Sequence, residues 1–315
     1  MKKYLWLFLA ALCSYIFYFF SLPPSTPYTP PPLPVQEQLL LMPLDSRPPC
    51  TLITQDLGRL ASIDVILPPK ELLDNYRTPA NREKLSSWLS HNADKCPAVI
   101  SGDLLIHGGL LASRLPQGTV NDEQNFLKLL QEMPSGEDIT VFSIIPRLLV
   151  SDNLLPDAWY QWHLMRYSTL RDIVEQFGDY HSTAQLEEIK NKIPQEILQK
   201  YNVLYSTNDS FNKQLAALCA AKNYTLIIGQ DDAQPFGLPN RNRTHAEAYM
   251  RQAGLSSAST TTCGADEIAQ MLTAHRFCQI NNYKPKFYIE YTTENAATAI
   301  MPYMAVTAEA ALLDK

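Results

Sequence analysis

The stretch that decides the fold is YTLIIGQDDAQPFGLPN, Tyr224–Asn240. It opens with a run of apolar residues, 224–230, reaches two adjacent acids, Asp231 and Asp232, and continues into a segment rich in turn-forming residues. A helical pattern near 244–253 comes next. A short apolar run that is bounded by turn residues and followed by a helix is typical of a buried strand in a parallel sheet. The stretch therefore predicts one strand–helix unit of an α/β fold.

The same unit recurs along the chain, and the helical segments between the apolar runs predict a mostly parallel sheet with both faces covered. A long segment rich in Leu, Gln, Glu and Lys, 156–222, is expected to be a helical insertion. The predicted strands are 38–44, 63–69, 97–103, 138–147, 224–230, 256–264 and 284–293. Two architectures fit this pattern. The favoured one is a TIM-like barrel, incomplete because no eighth strand is visible, and the alternative is an open, doubly wound sheet.

The N-terminal segment, 1–22, is predicted to be a membrane anchor or a signal segment. Two lysines precede an uncharged apolar run that extends to about residue 22. Its length lies between the core of a signal peptide, about 7–15 residues, and a spanning helix of about 20. The favoured interpretation is an uncleaved anchor that leaves the rest of the chain outside the cytoplasm, at the cell surface or in the periplasm. The alternative is a cleaved signal peptide and a secreted protein.

The N-terminal segment is followed by a proline-rich linker, 23–36, which is expected to form an extended, semi-rigid spacer. The α/β domain is then expected to occupy 37–315. A soluble domain on a stalk at a membrane surface would have this organisation.

The composition excludes several classes of protein. The formal charge is −6 and the pI is about 5.5, so the chain lacks the basic footprint of a nucleic-acid-binding protein, and no nucleic-acid partner is expected. The six cysteines include no CxxC pair. No glycine-rich nucleotide fingerprint follows a predicted strand, and no cofactor is predicted.

Polar side chains follow almost every predicted strand. Because ligand sites of parallel α/β folds lie at the carboxyl ends of the strands, these side chains are expected to line one pocket. Asp45 could instead close an Asx-turn, and His107 beside two glycines is also typical of an ordinary loop. Asp266 and Glu267, at the start of a helix, are expected to cap it. The expected substrate-binding residues are Asp45, Arg47, Asp103, His107, Arg114, Gln234 and Asn240.

Asp231 and Asp232 are the expected catalytic residues. Two like charges at the end of a buried strand raise the pKa of one carboxyl, as acid catalysis near neutral pH requires. Glycoside hydrolysis commonly uses two carboxyl groups, and in substrate-assisted versions the acetamido group of the sugar attacks while a carboxyl protonates the leaving oxygen. The favoured function is an extracytoplasmic glycoside hydrolase that acts on an amino-sugar-containing glycan.

Two other functions remain open. One is a metal-dependent hydrolase of the cell envelope, a deacetylase or an esterase, although no HExxH motif or tight histidine cluster is present. The other is a non-catalytic glycan-binding protein. The residues that could ligate a metal ion are Asp45, Asp103, His107, Asp231, Asp232 and His245.

Five motifs, in this order, resemble the bacterial family of unknown function DUF4127. They are LMPLDSRPPCTLITQDL, ILPPKELLDN, SGDLLIHGGLLASRLP, GQDDAQPFGLPN and CGADEIAQMLTAHR, and the resemblance runs from about Leu39 to the C-terminus. It implies no settled activity. Because members of the family are generally longer, it implies that this chain is truncated at its C-terminus.

A looser resemblance concerns the acid pair alone. An apolar strand that runs into two aspartates is similar to the catalytic strand end of the barrel-shaped, substrate-assisted β-N-acetylhexosaminidases. This resemblance implies that Asp231 orients the acetamido group of the sugar and that Asp232 is the acid/base.

Overall fold

The structure of the protein is a computed structural model. It describes Leu12, Ser14 and the ranges 34–76, 78–114, 120–136, 138–149, 159–293 and 295–313. The predicted N-terminal anchor or signal segment therefore lies outside the described residues except for two positions, and the linker is described only from Pro34 onward. No helix of the described part is long and apolar enough to cross a membrane. Residues Val35–Lys315 form one compact unit.

A six-stranded sheet lies at the centre of this unit. The order of its strands is β2-β1-β3-β4-β5-β6, and every neighbouring pair is parallel. The chain passes from β1 outward to β2 and then returns to β3 on the other side of β1. The topological switch point of the sheet therefore lies between β1 and β3. The strands are β1 (Glu37–Met42), β2 (Ile63–Ile66), β3 (Ala98–Ser101), β4 (Ile139–Ile145), β5 (Thr225–Gln230) and β6 (Thr260–Cys263).

Helices connect the strands and cover the sheet. They are α1 (Leu52–Leu60), α2 (Arg82–Asn92), α3 (Gly102–His107), α4 (Leu110–Ser113), α5 (Val120–Glu132), α6 (Trp159–Phe177), α7 (Tyr180–Lys190), α8 (Gln195–Lys222), α9 (Leu238–Ala253), α10 (Ile268–Ile280) and α11 (Ala308–Leu313), with a 3₁₀ turn at Lys70–Leu72. The predicted helical insertion, 156–222, contains α6, α7 and α8.

Alternate strand residues pack on opposite faces of the sheet. On one face, Leu40 and Ile228 join an apolar cluster with residues of α2, α3, α5, α8 and α9. On the other face, Leu39 and Ile227 pack with residues of α10, such as Ile268. Because both faces are covered, the strands are apolar at successive positions rather than at every second one.

The predicted α/β class is confirmed, but the favoured barrel is not what the described residues form. Of the two architectures expected, the open, doubly wound sheet is the one present. The predicted seventh strand, 284–293, is not a strand. Phe287 and Tyr288 in this segment are 84% and 87% exposed. A strand needs a hydrogen-bonded neighbour, and an apolar pattern in one segment does not supply it.

Candidate functional site

A cleft of about 590 Å³ lies at the carboxyl ends of the strands. Its walls come from the segments that follow β1, β4, β5 and β6, from the end of α4, and from the late segment 302–305. This is the edge at which open parallel sheets bind their ligands. The charged residues that line the cleft are Arg47, Arg114, Arg147, Asp231, Asp232, Asp266 and Glu267.

Asp231 is held in the wall of the cleft by Arg114. The Nη2 and Nε atoms of Arg114 donate to Asp231 Oδ2 at 2.6 and 3.1 Å. The other carboxylate oxygen accepts the backbone N–H of Asp232 at 2.9 Å. Only 10% of the Asp231 side chain is exposed. These donors fix the orientation of the carboxylate and place a positive charge beside it.

Asp232 is exposed to the cleft, unlike its neighbour. Partial burial and the adjacent charge of Asp231 raise the pKa of Asp232, although Arg147 and Arg114 oppose the shift. The pair therefore consists of one buried, oriented carboxylate and one accessible carboxyl group with an increased proton affinity. This is the difference in environment that an acid catalyst and its partner require.

Arg47 joins the segments that follow β1 and β6. Its Nη1 and Nη2 atoms donate to the two oxygens of Asp266 at 3.0 and 2.6 Å, and its Nε donates to Asp45 Oδ2 at 2.8 Å. Partial burial lowers the pKa of Arg47, but the hydrogen bonds to Asp45 and Asp266 outweigh this effect and raise it overall. Asp45 also accepts the backbone N–H of Arg47 at 3.0 Å. This hydrogen bond forms the Asx-turn that was one of the interpretations of Asp45 from the sequence. The sequence predicts that Asp266 and Glu267 cap the helix that follows them. The carboxylate of Asp266 binds Arg47 instead, and Glu267, at the N-cap of α10, makes no side-chain capping hydrogen bond.

Asp103 and His107 are not brought to the cleft. The helix α3 begins at Gly102, directly after β3, and places both residues against a separate cavity of about 50 Å³. Asp103 Oδ2 accepts the backbone N–H of Ile144 at 2.9 Å. Burial raises the pKa of Asp103 to about 7, and burial lowers the pKa of His107 to about 4.

The other two predicted binding residues also lie outside the lining of the cleft. Gln234 is exposed, and Asn240 in α9 donates to the carbonyl of Pro235 at 3.0 Å. Gln230 lines the cleft instead. It is 2% exposed, and among the described residues neither its Oε1 nor its Nε2 has a hydrogen-bond partner. The sequence marks this residue only as an amide side chain at the end of an otherwise apolar strand.

The segment 302–305 was missed as well, because it follows the last predicted strand. The backbone N–H of Ala233 donates to the carbonyl of Tyr303 at 2.9 Å, so this wall is attached to the residue that follows Asp232. No polar strand end in the sequence marks the segment, and only the folded chain places it at the site.

The residues named for a metal ion do not converge. In the part of the chain that the structure describes, no group of three or more His, Cys, Asp or Glu side chains is placed to hold a metal. Asp45 is bound to Arg47, and His245 Nδ1 lies 3.1 Å from Asp209 Oδ1 on α8. Among the described residues, these six side chains therefore do not form one metal-binding group.

Comparison with known proteins shows the family of the chain but no individual relative. No curated protein and no solved structure matches the chain. A family model, described as a protein of unknown function (DUF4127), matches residues 39–315 and so includes the β-sheet and the residues that line the cleft. Because this match covers most of its length, the chain belongs to the DUF4127 family.

Proposed function

We propose that the protein is a glycoside hydrolase that acts on an amino-sugar-containing glycan. The observation that carries the proposal is the unequal pair of carboxyl groups, in which Asp232 is accessible with a raised pKa and Asp231 is buried against Arg114. Glycoside hydrolysis needs a protonated acid and a second, ionised group beside the scissile bond. A cleft of about 590 Å³ falls within the usual size of a small-ligand site.

The proposed roles follow from the hydrogen bonds of the two acids. Asp231 Oδ1 accepts one backbone N–H and has a further lone pair, with which it can accept the N–H of a substrate acetamido group. The acetamido oxygen then attacks the anomeric carbon, and the bond to the leaving oxygen breaks as Asp232 gives that oxygen its proton. Water then attacks the anomeric carbon, which opens the five-membered ring that the acetamido group formed with the sugar, and a proton of the water passes to Asp232.

The location of the enzyme is part of the same proposal. The apolar run in 1–22, with its two lysines, supports a site of action outside the cytoplasm, with the protein tethered to the membrane or released after signal cleavage. The proline-rich linker would hold a tethered domain away from the lipid surface.

The acid assignment predicts the behaviour of Asp232→Asn. The amide keeps the shape of the side chain but cannot protonate a leaving group. We expect hydrolysis of chitotriose to fall by roughly 10²–10⁴-fold. Hydrolysis of 4-nitrophenyl N-acetyl-β-glucosaminide should fall less, because nitrophenolate leaves without a proton. The free energy of unfolding should change by less than about 1 kcal/mol, since the side chain is exposed.

The matched control is Asp94→Asn, because Asp94 is an exposed aspartate outside the cleft. It should keep full activity on both substrates. Undiminished cleavage of chitotriose by Asp232→Asn would contradict the assignment, as would an equal loss on both substrates. Initial rates measured side by side at one pH decide between these outcomes.

A further inference from the structure

A strained turn forms one wall of the cleft. The backbone N–H of Met304 donates to the carbonyl of Met301 at 3.2 Å, which closes a β-turn with Pro302 and Tyr303 at its centre. Tyr303 has a φ of +68°. Proline at the second position and a positive φ at the third are the features of a type II turn. The third position of such a turn is normally glycine or asparagine, and here it is tyrosine.

The strain at Tyr303 is not offset by burial of its side chain. A non-glycine residue in the left-handed region costs about 1–2 kcal/mol. Tyr303 is 69% exposed, so packing of the ring in the core does not compensate for this cost. Residues held in such conformations are concentrated at active sites and ligand clamps. Tyr303 lines the cleft, and its carbonyl is bonded to the residue after Asp232.

We propose that Tyr303 is the platform on which a sugar ring of the substrate stacks beside Asp232. This inference rests on the proposed function, because it takes a pyranose as the ligand. The face of an aromatic ring is electronegative, and a β-linked glucosamine-type pyranose presents axial C–H bonds that complement it. An exposed tyrosine also offers a large, rigid contact area at a low cost in conformational entropy. The substrate class is thus a pyranoside whose hydroxyl groups are mostly equatorial.

The position of the turn would give a tyrosine at this place a defined distance from the acid pair. The bond from Ala233 fixes the distance between the turn and the acid pair, so a sugar on the platform would be held in register with the proton donor. Effective catalysis depends on this kind of positioning, since a small displacement of the substrate costs a large part of the rate.

The test uses chitotriose and two substitutions that separate the ring from the turn. Tyr303→Phe keeps the ring, whereas Tyr303→Asn removes it but suits a positive φ. Binding is measured by calorimetry in the Asp232→Asn protein, in which the proposed function expects slow turnover of chitotriose. We expect Tyr303→Phe to bind like its parent and Tyr303→Asn to bind at least roughly tenfold more weakly. The melting temperature of Tyr303→Asn should be equal to or higher than that of the parent.

The control is Tyr288→Asn, since Tyr288 is 87% exposed and does not line the cleft. Its affinity should equal that of the parent. The inference is wrong if Tyr303→Asn binds chitotriose as tightly as the parent does, or if the parent does not bind it. If chitotriose binding depends on Tyr303 but the wild type does not hydrolyse it, the platform proposal stands and the proposed hydrolase function is wrong. If the wild type hydrolyses chitotriose and Tyr303→Asn leaves the KM unchanged, the hydrolase function stands and the platform proposal is wrong.

Discussion

Three aspartates near the ends of the strands occupy three different environments. Asp232 is accessible, Asp231 is paired with Arg114, and Asp103 is buried against a separate cavity with a backbone N–H as donor. All three follow apolar strands in the sequence, so the residue type and its position do not distinguish them. The neighbours that each side chain meets in the folded chain determine its proton affinity.

The raised pKa of Asp103, about 7, predicts a dependence of stability on pH. Below about pH 4 the group is protonated in both the folded and the unfolded chain. As the pH rises to about 7, the unfolded chain loses this proton and the folded chain retains it, so the free energy of unfolding decreases with pH. This decrease continues until the folded-state pKa is passed.

Asp103→Asn should therefore unfold with a flatter pH profile. The amide oxygen can still accept the N–H of Ile144, and the side chain no longer has to ionise in a buried place. At pH 8 the variant should be more stable than the wild type by more than about 1 kcal/mol, and at pH 4 the two should be similar. Glu123, whose pKa burial also raises to about 7, keeps part of the slope in both proteins. Urea unfolding across pH 4–8 measures the difference, and parallel profiles would contradict the environment described for Asp103.

At the scale of elements, β5 and α10 approach one another at Gly229. A Cβ at this position would lie 2.6 Å from Ile268 Cδ1 and 2.7 Å from the carbonyl oxygen of Gly264. Gly229 precedes Gln230 and the acid pair, so close packing at this point fixes the end of the strand that carries the site. The glycine is required by the space between the elements and not by its backbone angles.

Gly229→Ala should consequently lower the free energy of unfolding by about 1–3 kcal/mol through overpacking. The backbone oxygen of Gly264 cannot move aside without shifting β6. Gly254→Ala is the comparison, because nothing lies within 4 Å of its added Cβ and only its φ of +72° opposes alanine. Guanidinium unfolding measures both variants, and a cost for Gly229→Ala of less than about 0.5 kcal/mol would contradict the contact.

The elements of the core could be predicted from the sequence, whereas those at its margin could not. β2 to β6 lie within the predicted ranges, and β1 begins one residue before its predicted range, at Glu37. The central strands β3, β4 and β5 are apolar runs that are buried on both faces of the sheet. The segment 284–293 contains the apolar run FYI but also Lys284, Lys286 and Glu290, and it has no partner strand. The helix α3 begins without a loop after β3, and this turns Asp103 and His107 away from the edge where strand ends usually expose their polar residues.

At the scale of the whole molecule, one ion pair joins the first strand to the last. Arg47 and Asp266 are 219 residues apart, and their two hydrogen bonds connect the segments that follow β1 and β6. Packing of α10 against α1 brings them together, as does the bond from Gln270 Nε2 to the carbonyl of Pro49 at 2.9 Å. β1 and β6 are not neighbours in the sheet, so the packing of these two helices, and not strand pairing, brings the two segments together.

A double-mutant cycle of Arg47→Met and Asp266→Asn should give a coupling energy of about 1 kcal/mol. Both side chains are more than a third exposed, which limits the value, but the paired geometry places it near the upper end for accessible ion pairs. The pair Arg59 and Asp56 on α1 is the control, because it is local and more exposed. Its coupling should not exceed about 0.5 kcal/mol. Equal coupling energies in the two cycles would show that the pair Arg47 and Asp266 stabilises the fold no more than a local surface pair does.

The turn that carries Tyr303 is synthesised after the other parts of the cleft, and this sets the order in which the binding site can form. Arg47 and Arg114 are made early, the two acids later, and the turn last of all. A growing chain can therefore build its sheet and pair its charges while the cleft still lacks a wall. On the role proposed for Tyr303, the acids would exist before the surface that positions a sugar against them, and a half-made chain would be folded at its centre without a complete binding site.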